Sequence, residues 1–291
     1  MGPPQAQHDR GRTTGRTVEV GNHGPVHQLT VAGSGVASGA GVLVCLLGGF
    51  RLLKAGVPLR VPAGGKVEQV LGHLAMHPRH GLAREELLER VWPTSDVALA
   101  GQSLNTLTHW LKRQLSDALL GDAPILRRDG RCSLNTGSSL KVDLLEFDAA
   151  VDRASRQSTA GEHEAAIRSY ETALALYVGD LWVGSDIRQL LERERLRAAY
   201  LTARARLGDH YFEAAKYDLS ISQAYKLLAV DPFREDAHRM AMRCYVRSDQ
   251  RAQALRQYQT CRELLKAEFD AVPEAATDAL YDLVRCNPGV V

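Results

Sequence analysis

Between residues 42 and 61 the apolar positions come in short runs punctuated by glycine and proline. Val42–Leu47 and Phe50–Leu53 read as strands, Ala55-Gly56-Val57-Pro58 as a turn, and Leu59–Val61 as a return strand. The period then changes. After Gly64-Gly65, the residues Val67, Val70, Leu71, Leu74 and Ala75 fall at i, i+3, i+4, i+7 and i+8, which places one apolar stripe on a helix. Pro78 and Gly81 end that helix, and Arg84–Trp92 forms a second, with Leu87, Leu88 and Val91 inward and Pro93 as its stop. A third helix, about Leu99 to Leu120, has two faces. Leu104, Leu107, Leu111 and Leu115 line one; Asn105, Thr108, His109, Lys112, Arg113 and Ser116 line the other. Ile125–Arg128 and Arg131–Leu134 flank Asp129-Gly130, a type I′ turn signal, and so form a hairpin. Strands, three helices and a basic hairpin, in that order, predict an OmpR-type winged helix-turn-helix over residues 42–142.

From Val142 onward the strand signal almost vanishes and the helical period repeats. Ala166-Ile167…Tyr170, Ser220-Ile221…Ala224 and Ala254-Leu255…Tyr258 share one pattern. The last two begin 34 residues apart, the tetratricopeptide period. The first two begin 54 apart, which leaves room for an insertion in the Gly179–Arg197 stretch. Asp231-Pro232 closes the middle unit, and the helix preceding the Ala254-Leu255…Tyr258 pattern supplies small residues, Ala237 and Ala241, and Tyr245 at helical spacing. The fold expected is mainly α, with the winged domain followed by a tetratricopeptide-like stack over residues 143–288. Residues 1–41, rich in Gly, Thr and His, read as a disordered tail.

Length and composition narrow the function classes. A chain of 291 residues suits two small domains, and 45% hydrophobic with 24% charged residues is ordinary for a globular protein. Lys+Arg 36 against Asp+Glu 34 leaves +2, which excludes a polybasic carpet but not a local basic face. Aromatic residues make up 6%, which argues against carbohydrate stacking. The five cysteines include no C-x-x-C pair and read as free thiols of a reducing cytoplasm. Leu29 to Phe50 carries no charge over 22 residues, long enough for a bilayer, but glycines interrupt it and its dense apolar part is only Val42–Leu47. That part is a strand, and no membrane role is expected.

Several phrases in the chain resemble a known family. Leu46-Leu47-Gly48-Gly49-Phe50, Val91-Trp92-Pro93, Ser103-Leu104-Asn105 through Leu111-Lys112-Arg113, and Val142-Asp143…Phe147 are similar to the DNA-binding half of the antibiotic-regulatory-protein family of bacterial transcription factors. Leu191-Glu192-Arg193-Glu194-Arg195-Leu196, Asp231-Pro232-Phe233-Arg234-Glu235 and Ala252-Gln253-Ala254-Leu255-Arg256-Gln257-Tyr258 resemble that family's bacterial transcriptional activator domain. The resemblance implies an activator that binds direct repeats in promoter DNA and recruits RNA polymerase with its sigma factor. The chain departs from many members at His109-Trp110, where they carry basic residues, so sequence preference does not transfer. It also shows no ATPase module: Gly64-Gly65-Lys66-Val67 lacks the upstream Gly and the Ser/Thr of a P-loop.

The residues themselves support the same expectation. A major-groove helix needs one apolar face docked on its own domain and another bearing donors for base edges and phosphates. Asn105, Thr108, His109, Lys112 and Arg113 are the candidates for the second face, and Arg127, Arg128 and Arg131 for a wing on the backbone. Residues 42–148 hold 13 Lys/Arg against 11 Asp/Glu, a modest footprint that favours binding as a homodimer. Trp92 and Trp110 read as core or docking aromatics. His73, His77 and His80 lack an evident fourth ligand, so no metal is expected, and no cofactor or catalytic constellation is apparent. The expectation is a cytoplasmic, nucleoid-associated regulator with double-stranded promoter DNA and polymerase as partners. The alternative is a repeat-based protein-interaction or ligand-sensing module without sequence-specific DNA binding. A salt titration on random duplex separates them, since phosphate contacts make affinity salt-dependent.

Overall fold

The computed structural model describes residues 2, 41–62, 64–78, 80–137, 139–181, 187–287 and 289. All of these but Gly2 belong to one unit, residues 34–291. Apart from Gly2 and Gly41, the expected tail lies outside the described residues.

Strand β1 (Val42–Cys45) pairs antiparallel with β2 (Arg51–Lys54), which turns through Ala55 (φ 47°) and Gly56 (φ 78°) into β3 (Val57–Pro58). Two consecutive left-handed residues make the turn that matches strand twist, so the return strand begins at Val57 and not at Leu59. On its other side β1 pairs in parallel with β7 (Leu140–Val142), giving the order β3-β2-β1-β7. Helices α1 (Lys66–Ala75), α2 (Arg84–Val91) and α3 (Val97–Leu115) follow the sheet. Between α1 and α2, β4 (Leu82–Ala83) joins the hairpin of β5 (Ile125–Arg128) and β6 (Arg131–Leu134) in a second sheet of order β4-β6-β5.

The rest is helical: α4 (Asp143–Thr159), α5 (His163–Leu176), α6 (Ile187–Glu213), α7 (Tyr217–Leu228), α8 (Glu235–Arg247), α9 (Arg251–Phe269) and α10 (Ala275–Cys286). Each packs mainly on its neighbour in the chain, as in stacked helical hairpins. The repeating small residues lie where helices meet. Ala166, Ala224, Ala241 and Ala254 are fully buried, and Ser220 Oγ donates to Gly208 O at 2.9 Å. Much of the inserted stretch between the first two repeats becomes extra turns at the start of the 27-residue α6.

The two halves share a core. One buried cluster holds Val44, Leu46, Leu71, Leu104 and Leu111 from the first half together with Leu144, Phe147, Leu176, Tyr177 and Leu196 from the second. At the junction Asp143, 1% exposed, accepts hydrogen bonds from the backbone N–H groups of Leu46 and Leu47. Smaller clusters then run along the stack, one at α4–α6 and others towards α10. Among the described residues no helix is long and apolar enough to cross a membrane. Cys45, Cys132, Cys244 and Cys261 are buried free thiols, and Cys286 is an exposed one.

Candidate nucleic-acid interface

Helix α3 begins where Asp96 accepts from Ala98 N (2.8 Å) and Leu99 N, a side-chain N-cap. It ends at Leu115, five residues earlier than the periodicity suggested, and the turn that follows closes with Gly121 N–H donating to Ser116 O at 2.7 Å through left-handed Leu120 (φ 53°) and Gly121 (φ 90°). Leu104, Leu107, Leu111 and Leu115 are buried against the first half's core. Asn105, His109, Lys112 and Arg113 are exposed on the other side, with Thr108 half-buried between them. No acidic residue occurs from Val97 to Ser116, so this face is neutral to basic along its whole length.

The hairpin turns through Asp129 (φ 49°) and Gly130 (φ 71°), and its strands have the bounds the sequence suggested. Its side chains alternate. Arg127 lies opposite the buried Cys132, on the face turned to the helices, whereas Arg128 lies opposite Arg131. Arg127 therefore reaches α3: its guanidinium donates to Asn105 Oδ1 at 2.8 Å and to Thr108 Oγ1 at 3.1 Å. Thr108 Oγ1 in turn donates to Leu104 O at 2.7 Å. Three of the eight candidate residues thus form one hydrogen-bonded group. His109, Lys112 and Arg113 continue the same helix face, and Arg128 is exposed at the hairpin's end. Arg131 is engaged otherwise. Its guanidinium donates to His80 O (2.7 Å) and Gly81 O (2.9 Å), bracing the hairpin against the loop before β4.

One basic residue of this surface went unnoticed in the sequence. Arg84, the first residue of α2, lies across Gly101 of α3, where a Cβ would stand 2.5 Å from its Nη2. A glycine inside an otherwise well-formed helix was the available signal, since it marks close approach by another group. Arg84 and Arg127 both act to lower the Cys132 thiol, although burial outweighs them and pushes it up. Gly101, Asn105 and Thr108 fall at i, i+4 and i+7, so Arg84 and Arg127 meet the same face of α3.

The remaining singled-out residues have structural partners. Lys66 Nζ donates to Val91 O at 2.6 Å and lies over the Trp92 ring, so it caps the C-terminus of α2. Trp92 and Trp110 are half-buried against the core and line a shared cleft beside α3. His77 Nδ1 is 2.9 Å from His73 O, and His73 Nδ1 is 3.3 Å from Gln189 Nε2 of α6.

Gly81 fixes how the hairpin sits. Its φ is 58°, and a Cβ there would lie 2.3 Å from Cys132 O. Gly81→Ala should cost roughly 1–2 kcal/mol for the left-handed backbone alone, and more for the overlap with β6. Chemical denaturation should show the loss, with faster amide exchange in β4–β6. An unchanged midpoint would mean the loop shifts freely.

Residues 142–285 match the bacterial transcriptional activator domain. Over this stretch the chain is similar to the regulators that carry this domain. The transcriptional regulatory protein MoaR1 of Mycobacterium tuberculosis and that of Mycobacterium bovis are each 27% identical to it over 261 residues, covering 88% of this chain and 81% of theirs. The solved structure of Mycobacterium tuberculosis EmbR in complex with a low-affinity phosphopeptide shares the fold with a TM-score of 0.64 at 21% identity, over 84% of this chain. This activator-domain chain spans 65% of that EmbR chain. Its relatives are transcriptional regulators, and transcription regulation is the activity it shares with them.

Proposed function

We propose that the first half is a winged helix-turn-helix that binds promoter DNA, with α3 in the major groove and the β5–β6 hairpin as a wing on the phosphates. The observation that carries this reading is the bond of Arg127 to both Asn105 and Thr108. It ties the hairpin to the polar face of α3, so that helix and wing meet a duplex as one rigid surface and lose little entropy on binding. Asn105, Thr108 and His109 are in position for base edges, and Lys112, Arg113, Arg128 and Arg84 for phosphate. The activator domain would bring two copies together on repeated half-sites and contact RNA polymerase and its sigma factor. This follows the family resemblance and the modest charge of the DNA-binding half, which makes a lone half-site weakly held.

The test is salt-dependent binding of the Lys112→Ala/Arg113→Ala double variant to a promoter duplex. Both side chains are exposed on α3, so the fold should persist. Each lost phosphate contact should reduce the log–log salt slope by roughly 0.9, and the pair should weaken binding at least about tenfold. Unchanged affinity and slope would move the DNA surface away from α3. A wild-type chain with no salt-dependent affinity would favour the protein-interaction alternative.

A further inference from the structure

The activator domain brings together three ligand-bearing side chains far apart in sequence. His163 opens α5, and His210 and Glu213 lie three residues apart in the last turn of α6. Because α5 and α6 run antiparallel, the start of one meets the end of the other. His163 Nδ1 is 3.2 Å from His210 Nδ1 and 3.2 Å from Glu213 Oε2, and His210 Nδ1 is 3.4 Å from the same oxygen. Zinc binds imidazole nitrogen and carboxylate oxygen at about 2.0–2.2 Å in tetrahedral sites. Two ligand atoms of such a tetrahedron are separated by about 3.3–3.6 Å on that bond length. All three spacings fall close to that edge.

The surroundings orient the ligands. His210 is buried, its ring edge-on to His163 with centroids 5.3 Å apart and in contact with Tyr170. Its Nε2 lies 3.0 Å from Ser158 Oγ on α4. A proton on Nε2 donated to that hydroxyl leaves Nδ1 with a lone pair facing the cluster, the arrangement that outer partners impose on metal-binding histidines. His163 and Glu213 are each 57% exposed, so a fourth position opens to solvent.

We propose that His163, His210 and Glu213 bind one divalent transition-metal ion, zinc by donor set and spacing, which ties the start of α5 to the end of α6. Imidazole nitrogen favours Zn²⁺ over Mg²⁺, and metal affinity falls with pH as the ligands protonate.

The experiment is a Zn²⁺ titration of the full chain against a chromogenic chelator, with thermal melting in parallel. One Zn²⁺ per chain should bind at this site and raise the melting temperature, whereas Mg²⁺ should do neither. His163→Ala and Glu213→Gln alter exposed side chains and should leave the metal-free melt near wild type. Each should weaken the site at least about tenfold and remove the thermal shift, while His80→Ala should change nothing. Failure of the wild type to bind Zn²⁺ would overturn the proposal. So would wild-type affinity in a His163→Ala/Glu213→Gln double variant, which would put the ion elsewhere.

Discussion

Phe147→Ala should lower stability by about 3–5 kcal/mol and make both halves of the chain lose structure together. Phe147 lies on α4 with 0% exposure and belongs to the cluster that also holds Leu46, Leu52, Leu71 and Leu104. Its ring meets Tyr177 at 5.6 Å, and Tyr177 stacks on Tyr200 of α6 at 4.2 Å. The cavity left by its removal would be bounded by residues of both the first half and the first repeat. Neighbour-only contacts in a stacked array would confine the damage to the repeats. A shared core would not. Hydrogen exchange separates the two outcomes: amides of α3 and of α4–α6 should gain exchange by similar factors, with those of α9 and α10 less affected. Wild-type exchange throughout α3 would mean that the halves are energetically separate. By the same reasoning, residues 143–291 expressed alone should keep α7–α10 folded but leave α4 and α5 loosely packed, since Leu144, Phe147 and Tyr177 would lose their partners.

The parts of this fold that were legible in the sequence are those whose signal is local. The leucine stripe of α3 and the Asp129-Gly130 turn each repeat over a few residues, and both the buried face and the hairpin bounds follow from them. Strands β4 and β7 are two and three residues long, too short for any period, and exist because β6 and β1 offer them edges. The site divides in the same way. Which side of α3 faces outward is a matter of helical spacing. That Arg127 binds α3 while Arg131 braces a loop depends on strand alternation measured against tertiary neighbours. The His163, His210 and Glu213 group spans 50 residues and only helix pairing assembles it. Residues 187–197, inside the stretch that read as an insertion, form the start of α6.

Asp143→Ala is expected to be nearly as damaging as the loss of Phe147, for a polar reason. Strand β1 stops at Cys45, so the N–H groups of Leu46 and Leu47 leave the ladder inside the core. Asp143 accepts both, at 2.8–2.9 Å, and also the N–H of Leu144 at 2.8 Å, which fixes the start of α4 to the end of β1. Alanine would strand two buried donors at about 1–3 kcal/mol each. Asparagine should not rescue, because its amide N–H₂ would face other donors. Burial pushes the Asp143 carboxyl up to about 6, against those N–H groups and the nearby Arg51, which favour the ionised form. The sign follows from this direction. A folded value above the unfolded one means that the native state holds its proton longer. The contribution is fully present below the unfolded value and is lost as pH rises through about 6. Each pH unit between the two values is worth roughly 1.4 kcal/mol, so the stability gap between wild type and Asp143→Asn should narrow by roughly 2 kcal/mol from pH 4 to pH 7. Urea denaturation of both chains at several pH values measures this gap, with the other carboxylates cancelling in the difference. A gap that widens with pH would mean that the backbone N–H groups outweigh burial and that Asp143 holds the junction as a carboxylate at every pH tested.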